Sequence, residues 1–144
     1  MRMRLKNILL PVLSLFLVAC ATGPKYSDMA PGFDNLDKSQ GRIYVYRPSS
    51  MGAAVRPNVK LNGEVIGEAI SHGFFFVDRA PGEYTIMTST EVDRSLSFTL
   101  EEGQTRYVRL SISIGFFVGH VYPELVDSSV GKKEIEDLSY AGTP

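Results

Sequence analysis

Val59-Lys60-Leu61-Asn62-Gly63-Glu64-Val65-Ile66 runs as two short alternating arms about an Asn-Gly pair. A two-residue type I′ turn needs positive φ at both central residues, and Asn-Gly tolerates that better than almost any other pair. The turn pairs Leu61 with Glu64 and Val59 with Ile66. Val59, Leu61 and Ile66 then share one face, and Lys60 and Val65 share the other.

The period of two continues in both directions. Upstream, Ile43-Tyr44-Val45-Tyr46 is β-branched and aromatic throughout, and Pro48 ends it. Downstream, Gly73 to Val77 carries Phe74-Phe75-Phe76, and Pro81-Gly82 turns the chain into Tyr84-Thr85-Ile86-Met87-Thr88. Leu96, Phe98 and Leu100 alternate with polar residues, as do Val108, Leu110, Ile112 and Ile114. A three-residue loop, Glu101-Glu102-Gly103, closes these two runs into a hairpin that aligns Leu96 with Val108. Gly103 supplies its left-handed residue. Ser128 or Ser129 opens a short helix through Leu138, with Ile135 and Leu138 toward the sheet and Lys132, Lys133, Glu134 and Glu136 toward water. The pattern predicts a mainly β chain over residues 41–144: one antiparallel β-sandwich of about seven strands with a short C-terminal helix.

Before that domain the chain has a different character. Arg2, Arg4 and Lys6 precede an apolar run, Ile8–Ala19, and the single cysteine, Cys20, follows at once. This is the layout of an export signal. A spanning helix needs roughly 20 apolar residues, so the run is too short to stay in a bilayer. Leu17-Val18-Ala19-Cys20 resembles the lipobox of bacterial lipoproteins. The resemblance implies cleavage between Ala19 and Cys20 and attachment of lipid, palmitate-type acyl chains among it, at Cys20. It also implies export, and Ala21 (in place of the Asp that retains such proteins at the inner membrane) favours the inner leaflet of the outer membrane, facing the periplasm. A plain secretory signal with a chance cysteine is the alternative. Residues 20–40 then read as the lipidated cysteine and a flexible tether, punctuated by Gly23-Pro24 and Pro31-Gly32. Such a tether spans roughly 25 Å.

Composition narrows the chemistry. Removing residues 1–19 leaves 12 basic side chains against 16 acidic ones, a net charge of −4. That balance gives no basic patch for nucleic acid. With Cys20 lipidated no thiol remains, so disulfides, cysteine nucleophiles and thiolate metal sites are excluded. No cofactor, metal or catalytic motif is expected.

Gly41-Arg42-Ile43-Tyr44-Val45-Tyr46-Arg47-Pro48, Leu61-Asn62-Gly63-Glu64, Ile66-Gly67, Gly73 with Phe75, Pro81-Gly82-Glu83-Tyr84, and Gly103 before Tyr107-Val108-Arg109 occur in that order. Together with the lipobox they resemble the bacterial lipoprotein domain of unknown function DUF2846, over roughly residues 40 to 125. Singly, the motifs are also similar to those of PEGA and transthyretin-like modules. The resemblance implies a periplasm-facing sandwich on a lipid anchor and no reaction.

Three side-chain sets could carry function. His72 or His120 meeting a carboxylate, such as Asp78 or Glu124, or a serine would be needed for a hydrolase, but no metal-ligand or nucleophile spacing accompanies them. Tyr44, Tyr46, Phe74, Phe76, Phe116 and Phe117 are candidate partner-binding residues, because successive aromatics on a strand point to opposite faces and only one set needs to be core. Burial of both faces, by the second sheet and the helix, is the competing reading. Arg42, Arg47, Arg56, Arg106 and Arg109 could form a basic face for acidic partners, or pair with Asp and Glu across strands. The expected role is a non-enzymatic envelope module that binds an envelope protein or peptidoglycan, with a glycan or small-molecule site as the alternative.

Overall fold

The computed structural model describes residues 21–33, 35–90, 92–114 and 119–142. The signal segment, Ala19, Cys20, Phe116 and Phe117 lie outside them. Among the described residues nine strands form two sheets. They are β1 (Gly41–Arg47), β2 (Asn58–Leu61), β3 (Glu64–Glu68), β4 (Gly73–Arg79), β5 (Gly82–Ser89), β6 (Asp93–Leu100), β7 (Thr105–Ile114), β8 (Gly119–Val126) and β9 (Ser139–Tyr140). The five-stranded sheet has the order β8-β7-β1-β4-β9, and the four-stranded sheet the order β3-β2-β5-β6. The sandwich is not purely antiparallel, because β1 pairs with β7, and β4 with β9, in parallel.

The core between the sheets follows from the period of two. Ile43, Val45, Phe75, Val108 and Leu110 point inward from the first sheet, and Val59, Leu61, Ile86, Phe98 and Leu100 from the second. Each such side chain, fully buried, contributes about 1.5–3 kcal/mol.

The β2–β3 turn is the expected one: Asn62 has φ 48° and Gly63 φ 87°, and Leu61 pairs with Glu64. The arms then depart from the expected register. A bulge between Val59 and Lys60 places Val59 opposite Gly67, not Ile66. A Cβ on residue 67 would lie 2.8 Å from the Phe75 ring, so the glycine leaves room for that ring.

The expected β6–β7 hairpin does not form. Gly103 has the positive φ assigned to it, 68°. But its amide donates to Gln40 O and the Arg42 amide donates to Gln104 O, so the loop docks on the start of β1. The chain thereby crosses from the second sheet to the first. Leu96–Leu100 and Val108–Ile112 still share one core, across the sandwich instead of side by side.

A third layer covers the outer face of the five-stranded sheet. Tyr44, Tyr46, Phe74, Tyr107, Ile135 and Leu138 form a second buried cluster there. The helix α2 (Ser128–Ile135) lies over it. Gly131 is what lets the helix come so close: a Cβ there would stand far inside contact distance of the Tyr107 ring. The other cover is the segment expected to be a flexible tether. Its helical turn α1 (Tyr26–Met29) and the 3-10 turn Ala30–Gly32 bring Tyr26 and Phe33 onto the sheet. The Tyr26 ring lies 5.4 Å from that of Phe74, and the Phe33 ring 4.9 Å from that of Phe76, both edge-to-face. Such pairs add about 0.5–1.5 kcal/mol beyond area burial. Backbone bonds fix the segment as well: Tyr26 N to Leu138 O, Tyr140 N to Pro24 O, and Ala21 N to Ser71 O.

Candidate functional site

Above the outer face of the five-stranded sheet, four elements bring polar side chains together. Tyr46 and Arg109 are register partners across β1 and β7, and Arg109 and Glu124 across β7 and β8. Partners in register share a face, and α2 adds Glu134 from above. Arg109 Nη1 donates to Glu134 Oε1 at 2.8 Å, and Nε donates to Glu124 Oε2 at 3.3 Å. Ser111 Oγ donates to the same Glu124 oxygen, and the Tyr46 hydroxyl donates to Glu134 Oε2.

The electrostatics follow from those bonds. Burial, and then the bond to Glu134, pushes the Tyr46 phenol well above its ordinary value. The Ser111 hydroxyl is the largest influence lowering the Glu124 carboxyl; Arg109 adds to it and partial burial opposes it. Burial works against the Arg109 charge, but the two carboxylates outweigh it and hold the guanidinium above its ordinary value. Glu134 therefore does not face water as expected of it. The cluster clamps α2 to the sheet, and its charges are directed at one another.

Beside the clamp lies an open groove of about 390 Å³ lined by Arg106, Arg109, Leu125, Asp127, Ser128 and Val130. Arg106 Nε is held by Thr99 O, and Leu125 and Val130 are exposed. A second, smaller cleft of about 270 Å³ lies between Tyr26–Phe33 and α2. Its floor is the stacked pair Tyr44 and Tyr107, with ring centroids 5.2 Å apart, and Arg42 and Lys132 stand at its edge.

The aromatic residues expected as a docking strip are mostly core. Tyr44, Tyr46 and Phe74 are 4 %, 1 % and 0 % exposed, and Phe76 is half-buried beneath Phe33. Two layers compete for these rings, and the helix and N-terminal segment have taken them out of water.

The five arginines do not make a basic face. Arg42 grips Asp78 through Nε and Nη2 at 2.7 and 2.9 Å and also donates to Phe33 O. Its guanidinium carbon lies 4.3 Å from the centroid of the Phe76 ring. Arg47 is 1 % exposed and has no carboxylate partner among the described residues. Its Nη1 donates to Val55 O and Ala69 O, and its Nη2 to Met51 O and Gly52 O. Burial, and then the Arg56 charge, draws its pKa down. Four carbonyl dipoles stand in for a counter-ion, and the side chain pins two loops. Of the five, Arg106 alone lines the open groove without an acidic partner among the described residues.

His72 and His120 do not meet. His72 precedes β4 and has φ 53°; His120 lies on β8, opposite Ser113 and 3.5 Å from Thr90 Oγ1. Three inter-strand steps separate β4 from β8, about 14 Å at the usual spacing. Among the described residues no three or more His, Cys, Asp or Glu converge as a metal site would require. No helix among them is long and apolar enough to cross a membrane.

The sequence allows Arg109 to pair with an acidic residue across strands, but not the gathering of Glu124, Tyr46 and Glu134 around it. Arg109 and Glu124 sit on strands whose pairing is visible only in the fold. The one available signal was Glu134 next to Ile135 on a helix whose inner edge runs close to it.

A Haemophilus influenzae protein described as uncharacterized is 33 % identical over 133 residues, spanning 89 % of this chain and 79 % of its own length. The family model described as "Protein of unknown function (DUF2846)" matches residues 37–121, which run from just before β1 into β8. With more than half of its length matched in this way, the chain belongs to the DUF2846 family.

Proposed function

We propose that this protein is a bacterial envelope lipoprotein, anchored through lipid on Cys20, whose sandwich is a non-enzymatic binding module. The observation that carries the reading is Cys20 itself, the chain's single cysteine, placed directly after the apolar run Ile8–Ala19 and the basic Arg2, Arg4 and Lys6. Two or three acyl chains make a stable anchor where one is marginal. Ala21 favours the outer membrane and a domain facing the periplasm. The motifs' similarity to PEGA and transthyretin-like modules is in keeping with a small binding sandwich.

The groove beside α2 is the surface offered to the partner. Arg106 has donors to spare for a carboxylate, and Leu125 and Val130 give apolar contact beside it. An acidic segment of an envelope protein or a peptidoglycan stem carboxylate suits that combination. The cleft over Tyr44 and Tyr107 supports a second reading, a small glycan or acidic small molecule held against ring edges near Lys132.

Cys20→Ser tests the anchor: the protein is expected to move from the membrane to the soluble fraction and to lose incorporation of labelled palmitate. Continued pelleting of the variant with membranes would refute it. Arg106→Glu tests the groove. It is expected to abolish in-cell crosslinks to the envelope partner with the melting temperature unchanged, whereas Lys132→Glu does so if the cleft is the site.

A further inference from the structure

We infer that the domain lies directly on the lipid surface, with the β1–β2 loop, the β3–β4 turn and the β5–β6 turn facing the membrane. The inference rests on the lipid anchor proposed above and adds an orientation to it.

The two ends of the sandwich differ. β1 and β7 end, and β4 and β8 begin, at the same end of the first sheet, as their registers require. Arg47 ties the loop after β1 to the turn before β4 through Val55 O and Ala69 O, and Thr88 near the end of β5 donates to Val121 O. Three of the molecule's exposed large apolar side chains stand at this end: Met51 (52 %), Val92 (48 %) and Ile114 (76 %). Its described charges are few and mixed, Arg56 and Arg94 against Glu68 and Asp93, with His72 and His120 beside them. At the opposite end the turns carry Asp37, Lys38, Glu64, Arg79, Glu83, Glu101 and Glu102.

The anchor enters at the apolar end. Ala21 N donates to Ser71 O at 2.9 Å, Ser71 Oγ donates to Ser49 O, and Met51 N donates to Ser49 Oγ. A chain of hydrogen bonds thus links Ala21 to the loop that bears Met51. Arg47 holds the Met51 and Gly52 carbonyls inward while the Met51 side chain is left outside. The lipid-bearing residue is one peptide bond from Ala21, about 3.8 Å between Cα atoms. A free tether would have allowed roughly 25 Å, and any orientation. With the segment after Ala21 packed on the sheet, the acyl chains and the apolar side chains leave the domain together. A lipid surface is the partner that fits both.

Cys20 being the single cysteine, one further cysteine can be introduced for labelling once lipid occupies Cys20. Met51→Cys and Val92→Cys mark the proposed membrane end, and Glu102→Cys the far end. Each full-length lipidated variant is labelled with an environment-sensitive fluorophore and reconstituted in phosphatidylethanolamine–phosphatidylglycerol vesicles containing a headgroup-depth quencher. Quenching at 51 and 92 is expected to exceed that at 102 at least threefold. Equal quenching at all three positions, in protein that still floats with the vesicles, overturns the orientation and leaves the anchor standing. Protein that does not float overturns the anchor and the orientation with it. Met51→Asp with Val92→Asp, labelled in separate variants at Ile114→Cys on the same end and at Glu102→Cys, is a second check: the double variant should float normally but lose the difference between the two ends.

Discussion

β1 and β6 show two ways of using a strand. All seven residues of β1 are buried, Arg42 and Arg47 included, whereas β6 alternates, with Phe98 and Leu100 inside and Ser95, Ser97 and Thr99 in water. The four-stranded sheet has one wet face. The five-stranded sheet is covered on both, by its partner sheet and by the layer of α2 and Tyr26–Phe33. A strand that is dry on both sides cannot leave a charge to solvent. Arg42 therefore meets Asp78, and Arg47 meets four carbonyls. The outer layer is thus part of the folded structure, and apart from the small cleft over Tyr44 and Tyr107 it takes the aromatic face out of water.

Phe74→Ala breaks the covered face most directly. The ring is fully buried and touches Tyr26, Phe33, Tyr44 and Tyr140. Truncating such a ring costs about 3–5 kcal/mol, a large part of a small domain's stability. Urea unfolding should show it. A loss below about 1 kcal/mol would mean that the outer layer is not seated on the sheet.

Gly131→Ala probes the same layer from the helix side. Alanine gains about 1 kcal/mol in helix propensity, but its Cβ would meet Tyr107 far inside contact distance. Overpacking of that kind costs about 1–3 kcal/mol. A net loss of up to about 2 kcal/mol is expected in thermal unfolding; a net gain would show that α2 does not rest on Tyr107.

Much of this contrast could be read in the sequence. Ile43-Tyr44-Val45-Tyr46 has no polar residue, as a strand buried on both faces requires, and Leu96-Ser97-Phe98-Thr99-Leu100 has the alternation of a half-wet one. The Asn62-Gly63 turn and the burial of Ile135 and Leu138 were equally plain, although the helix stops at Ile135 and does not run through Leu138. What periodicity does not encode is which sheet a strand joins. A hairpin and a crossing between sheets both bring Leu96–Leu100 against Val108–Ile112, and Gly103 serves either. The decision lies in long-range bonds from Gln40 and Arg42 to the loop. Alternation likewise does not show that Gly67 lies against the Phe75 ring of another strand. Pro- and Gly-punctuated polar composition suggested a free tether. Only the fold shows that Tyr26 and Phe33, spaced seven apart within it, have an aromatic surface to meet. The clamp was out of reach for the same reason, because its members come from four elements.

Within the clamp, Tyr46→Phe removes the donor to Glu134 while keeping the ring that packs in the second cluster. A hydrogen bond to a charged group is worth about 1.5–3 kcal/mol, and half-burial of Glu134 places this one near the lower end. A double-mutant cycle with Glu134→Ala should return a coupling of about 1.5 kcal/mol. Additivity of the two would mean that the Tyr46 bond contributes nothing to holding α2.

Glu124 gives the smallest effect and a signed one. Its folded pKa is depressed below the usual carboxylate value by Ser111 and Arg109. The stabilisation it provides is therefore fully present above the unfolded value of about 4.3 and is lost as pH falls through the lower folded value. Its side chain is 39 % exposed, so solvent screening limits the effect to the range of exposed pairs, about 0.2–1 kcal/mol. Stability of the wild-type protein and of Glu124→Gln should converge as pH is lowered from 6 toward 3, and the variant should be the less stable at pH 6. A difference that grows on acidification would reverse the sign and show that Glu124 is strained in its place between Ser111 and Arg109. Because this pair lies at the wet margin of the clamp, its small size against the loss at Phe74 measures how far the covered face depends on its rings and how little on its charges.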